Sequence, residues 1–191
     1  MTRGIDSPAD YYYRRVFTDA VRAVDAVRSL EFIDPARVAV AGASQGGGIA
    51  LAVGGLVEDL VAVMPDVPFL CHFERSIGMT GRDPYQEVAQ YLKVHRGATR
   101  AVLATLAYFD GANFATRITA PTLFSVALQD ETCPPSTVYA AFNRVAAEVK
   151  QIEVYDFNDH EGGGAYQWPV QAAFLSRSLR AAPAVPSAAS R

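Results

Sequence analysis

The chain has 191 residues, half of them hydrophobic and 19% charged, with a formal net charge of −3. Such a composition suits one globular domain, long enough to bury most of its apolar surface. The slight acidity leaves no electrostatic footprint for nucleic acid or for an anionic membrane, and the fifteen arginines are scattered rather than clustered.

The opening Met-Thr-Arg-Gly-Ile-Asp-Ser-Pro lacks the apolar centre of a signal peptide, and no apolar run approaches the roughly 18 residues of a membrane span. A cytoplasmic location and no membrane partner are the expectation. Ser7-Pro8-Ala9-Asp10 reads as a helix start, with Ser7 at the N-cap, Pro8 at the first helical position and Asp10 three residues past the cap. Val16, Ala20, Ala23, Val24 and Val27 then recur at helical spacing, which predicts a helix to about Leu30. Asp34-Pro35 is a turn. Val38-Ala39-Val40-Ala41-Gly42 follows as an unbroken apolar strand of the kind buried on both faces of a parallel sheet.

A helix over 45–57 and a strand over 60–64 come next. Residues 65–120, rich in aromatics, form an excursion of short helices. A strand over 122–128, a helix over 135–148, a strand over 151–157 and a helix over 165–179 complete the pattern. Alternating strands and helices predict an α/β fold, a mostly parallel sheet with helices on both faces, as one domain over residues 1–180. The Ala/Pro/Ser/Val stretch over 181–191 reads as a disordered tail.

The chemistry lies at the strand ends. Gly42-Ala43-Ser44-Gln45-Gly46 matches G-x-S-x-G directly after an apolar strand, the pattern of a strained strand-to-helix turn that exposes a nucleophilic serine. Glycines at both ends of the motif let neighbouring backbone approach, and Gly47 and Gly48 extend the small-residue patch. The same pattern also serves turns that only pack, or that hold phosphate at a helix N-terminus. A GxGxxG run and a Walker lysine are both lacking.

In the nucleophile-elbow fold, an acid and then a histidine follow the serine on loops after later strands. Asp130 follows the 122–128 strand and His160 follows the 151–157 strand. Strand carboxyl ends deliver side chains to one crevice. Glu131, Asp156 and Asp159 rival Asp130, while His72 and His95 precede the acid and fit the order less well. These assignments make Ser44 the nucleophile, His160 its base and Asp130 the group orienting the imidazole. The backbone N–H of Gln45, next after the nucleophile, is the expected oxyanion donor. Cys71 and Cys133 stand apart, outside any CxxC or Cys/His run, so neither a disulfide scaffold nor a metal site is expected.

Gly42 to Gly48, Pro68-Phe69-Leu70-Cys71, Tyr91-Leu92-Lys93, Tyr108-Phe109-Asp110, Asn113-Phe114-Ala115, Cys133-Pro134-Pro135-Ser136-Thr137 and His160-Glu161-Gly162-Gly163 occur in one order along the chain. Together they resemble carbohydrate esterase family 7, the acetyl xylan esterases and cephalosporin C deacetylases of the α/β-hydrolase superfamily. The resemblance runs from about Thr2 to Leu179. It implies deacetylation of small acetylated xylooligosaccharides and of cephalosporin C through an acyl-enzyme, without metal or organic cofactor, in a homo-oligomer that is a hexamer in the full-length family.

The resemblance also implies a gap. The family's first strands, and its Arg-Gly-Gln motif with a tyrosine supplying a second oxyanion donor, lie upstream of the serine, where this chain has 43 residues. Tyr91 follows the nucleophile in a helical stretch and is no substitute. The chain therefore reads as the C-terminal two-thirds of such a protein, with activity lowered by a missing donor. Alternatives are another hydrolase of this fold, such as a thioesterase, or an inactive remnant serving as an oligomer-forming module.

Overall fold

The computed structural model describes residues 1–182. Four parallel strands form one sheet: β1 (Ala39–Ala43), β2 (Ala62–Asp66), β3 (Thr122–Ala127) and β4 (Lys150–Tyr155), in the order β1-β2-β3-β4. Each connection is a crossover, as parallel neighbours require. The helices are α1 (Tyr12–Arg28), α2 (Gln45–Leu56), α3 (Phe73–Met79), α4 (Tyr85–Val94), α5 (Thr99–Ala107), α6 (Gly111–Ala115), α7 (Pro135–Arg144) and α8 (Gln167–Ala181).

Period-two alternation divides the strand side chains between two layers. Val63, Phe124 and Val126 enter the core shared with α2, α6 and α7, whereas Ala62, Met64 and Leu123 meet Phe174 of α8 on the opposite face. Helices thus cover both faces. Every residue of β3 is buried, the polar Thr122 and Ser125 among them. Helix α2 is apolar nearly all round, and eight of its twelve residues are buried. It lies inside the domain, against the sheet, α1 and α6. The aromatic excursion folds as α3 to α6 around Phe69, Phe73, Tyr85 and Phe109, and receives Tyr11, Tyr13 and Phe17 from the first segment.

Several boundaries differ from the sequence reading. Ser7 accepts a bond from the Ala9 N–H at 3.2 Å, yet it caps a turn, because extended backbone at Tyr11 delays α1 to Tyr12. That placement buries the Tyr11 ring against Phe109, which a continuous helix from Pro8 would not do. Helix α7 stops at Arg144 rather than 148, because Val145 turns extended and carries itself and Ala147 into the core. Ala181, assigned by sequence to the tail, ends α8, and the tail over 183–191 lies outside the described residues. Strand β1, apolar as an interior strand would be, pairs only with β2 among the described residues, and its Ala41 and Ala43 are exposed.

Candidate functional site

The site forms where β1, β3 and β4 end. Ser44 joins β1 to α2 with φ 53° and ψ −115°, a strained conformation for a residue with a side chain. Its N–H donates to the Asp66 carbonyl at 2.9 Å, and its own carbonyl accepts from Gly48 N–H at 3.0 Å and Phe69 N–H at 2.9 Å. Three backbone bonds therefore hold the strained turn. A Cβ on Gly42 would stand 2.5 Å from the Gly46 carbonyl carbon, so only glycine fits there, whereas a Cβ on Gly46 would point into open space. The two glycines of the motif are unequal, contrary to the expectation that both relieve a clash.

Asp130 follows β3 in a tight loop and its side chain is 1% exposed. One carboxylate oxygen accepts from the Thr132 and Cys133 N–H groups at 2.8 and 2.7 Å. The other lies 2.9 Å from His160 Nδ1. A carboxylate only accepts, so Nδ1 carries the proton and Nε2 is free to accept. His160 Nε2 lies 2.8 Å from Ser44 Oγ, which makes that hydroxyl the donor.

The three sequence-assigned side chains thus form one hydrogen-bonded chain. The bond to Asp130 raises the His160 pKa above its ordinary 6.5; burial opposes this, and the charges of Asp130, Asp159 and Asp66 add to it. Such an arrangement can take the serine proton and hold the resulting imidazolium. Gly162, two residues beyond His160, has φ +56°, and a Cβ there would meet Val67 at 2.9 Å. Glycine is what lets the histidine loop turn back onto β2.

The other candidates lie elsewhere or do other work. Glu131 is exposed and pairs with Arg82 at 2.5 Å. Asp159 is exposed and accepts from the Glu131 N–H at 3.1 Å, and Asp156 is exposed. His72 is an exposed left-handed residue ahead of α3, and His95 is exposed and stacked on Tyr91. Tyr91 donates to Asp6 at 2.9 Å.

Gln45 begins α2, so its N–H belongs to the first turn, where helix donors have no intrahelical acceptor. Its side-chain amide donates to the Tyr13 hydroxyl at 2.8 Å, a contact that the sequence reading did not anticipate. Sequence reasoning also missed Asp66 and Ser125. Asp66 ends β2, so the criterion that selected Asp130, an acid at a strand end after the serine, selects Asp66 too.

Cys133 lies closer to the site than its isolation in sequence suggests. Its sulfur, a His160 ring nitrogen and an Asp130 oxygen lie within 4.8 Å of one another. Burial pushes its thiol pKa well up, and both Asp130 oxygens are already engaged, by the Thr132 and Cys133 N–H groups and by His160 Nδ1. A cleft of about 480 Å³ opens beside Asp130, lined by Thr80, Arg82, Glu131 and Pro134.

A strained serine after a parallel strand, with a histidine and a carboxylate from later strand ends, defines the α/β-hydrolase fold. The acetyl xylan esterase (AXE1) family matches residues 1–178, and the chain belongs to that family. It is 32% identical over 161 residues to acetyl esterase Axe7A of Xylanibacter ruminicola, covering 84% of this chain and 35% of that protein. Among solved structures, the acetyl xylan esterase from Paenibacillus sp. R4 is 42% identical with a TM-score of 0.84, over 94% of this chain and 56% of its own. Acetyl xylan esterase 1 from Thermoanaerobacterium sp. JW/SL YS485 is 32% identical with a TM-score of 0.85, over 92% and 56%. The chain spans about a third of the curated relative and just over half of each solved one.

Proposed function

We propose that this chain carries the catalytic centre of a serine esterase that removes acetyl groups from small acetylated carbohydrates, acetylated xylooligosaccharides above all, with cephalosporin C as a second substrate. The observation that carries this reading is the unbroken run from Asp130 through His160 to Ser44 Oγ, with both bonds under 3 Å. Family membership supplies the acyl group, since the similar proteins are acetyl esterases by description.

In this reading His160 Nε2 takes the proton as Ser44 Oγ attacks the acetyl carbonyl. The developing oxyanion points at the Gln45 N–H, fixed at the head of α2. Collapse of the tetrahedral intermediate returns the proton to the departing sugar hydroxyl and leaves Ser44 acetylated. Water, deprotonated by the same imidazole, then releases acetate. No step calls for a metal or an organic cofactor.

The test is acetate release from acetylated xylobiose by the wild-type chain and by Ser44→Ala. The reading expects release that depends on Ser44 and falls as the acyl chain lengthens. A folded wild-type chain that spares acetyl esters but cleaves a thioester would support the thioesterase reading instead. Failure to cleave either, or to react with a fluorophosphonate, would mark an inactive module.

A further inference from the structure

A second acid stands at the same rim. Asp66 closes β2, the strand between the one that delivers Ser44 and the one that precedes Asp130. Its backbone carbonyl accepts the Ser44 N–H at 2.9 Å. Its carboxylate accepts a short bond from the hydroxyl of Ser125 in β3. That hydroxyl in turn accepts the Val67 N–H at 2.9 Å. Ser125 is fully buried within an otherwise nearly apolar strand, and a buried hydroxyl calls for such an acceptor.

The histidine loop closes over the same carboxylate. A Cβ on Gly162 would lie 3.6 Å from Asp66 Oδ1. One residue therefore meets the serine turn, the strand leading to Asp130 and the loop carrying His160.

We propose that Asp66, oriented by Ser125, is a positioning residue for this site: its carboxylate, packed against the histidine loop at Gly162, lends a second negative charge to the His160 ring. The proposal rests on the reading of His160 as the base. The carboxylates whose charge reaches that ring are Asp130, bonded to it, Asp159 on its own loop, and Asp66. Asp159 is exposed, takes the Glu131 N–H and feels the Arg82 charge, so solvent and a cation dilute its effect. Asp66 is half-buried, and its remaining titratable neighbour is the Tyr155 phenol, which donates to Gln167 at 2.7 Å. Burial pushes its carboxyl pKa up, while the Ser125 bond and His160 pull it down. The charge that survives acts through poorly screened surroundings when Ser44 passes its proton to His160.

The experiment is an NMR pH titration of the three histidine rings in the full chain, paired with the rate of fluorophosphonate labelling at Ser44. It is run on wild type, Asp66→Asn and Ser125→Ala. Removing a negative charge disfavours the imidazolium, so the His160 midpoint moves to lower pH in Asp66→Asn while His72 and His95 stay put. Labelling slows several-fold. Ser125→Ala frees the carboxylate, so its His160 midpoint moves part of the way and labelling slows as well.

A folded Asp66→Asn with an unmoved His160 midpoint and an unchanged labelling rate overturns the proposal. Should that variant fail to fold, an unmoved midpoint and rate in Ser125→Ala overturn it equally. Absence of labelling in wild type, with the His160 midpoint still sensitive to Asp66, overturns the esterase reading and leaves the coupling standing.

Discussion

His160 Nε2 and Ser44 Oγ lie 2.8 Å apart although 116 positions separate them in the chain. Three parallel crossovers bring them together, each returning the chain to the same end of the sheet. The consequences can be measured one side chain at a time.

Asp130→Asn keeps the shape of the carboxylate but can present an N–H to His160 Nδ1, which favours the wrong imidazole tautomer. In the proposed mechanism kcat for an acetyl ester falls about 10⁴-fold, as in other serine–histidine–aspartate sites. Steady-state kinetics on a folded variant checks this.

The raised His160 pKa sets the pH dependence. A base must be unprotonated, so kcat/KM falls as pH drops through a value above 6.5, and Asp130→Asn shifts that limb to lower pH. The stability contribution has the opposite sense. A histidine whose folded pKa is raised stabilises the fold fully below its unfolded value and loses that contribution as pH rises through the folded one. A kcat/KM profile and melting temperatures on both sides of that value read the two effects.

Gly42→Ala and Gly46→Ala should part company. The first drives a methyl to 2.5 Å from the Gly46 backbone and should unfold or displace the serine turn. The second meets open space inside α2, where alanine gains up to about 1 kcal/mol over glycine. Denaturant unfolding of the two variants measures the contrast.

Phe124→Ala removes a fully buried ring of β3 that packs edge-on to Phe142 of α7. Large-to-small changes of this kind cost about 3–5 kcal/mol. The unfolding midpoint should fall while the denaturant slope stays unchanged.

The sequence made β3 legible because six consecutive buried positions leave no polar interruption except Thr122 and Ser125. The meeting of Ser44, Asp130 and His160 was legible because a chain order and a strand-end rule survive without coordinates. Asp66 obeys the same rule yet escapes notice, because nothing local distinguishes an acid that bonds the imidazole from one that bonds a buried serine of the next strand. The late start of α1 was hidden for another reason. Ser7-Pro8 is a sound local cap, and only the burial of Tyr11 against Phe109, far along the chain, overrides it. The inequality of Gly42 and Gly46 is likewise a matter of what each Cβ would face.

In the proposed mechanism the Ser44 hydroxyl, deprotonated by His160, is the nucleophile. Peptide mass spectrometry after fluorophosphonate treatment tests it directly. The expected result is a single adduct on the peptide containing Ser44, absent from Ser44→Ala and strongly reduced in His160→Gln. An adduct on another residue, or none on a folded chain, would contradict it.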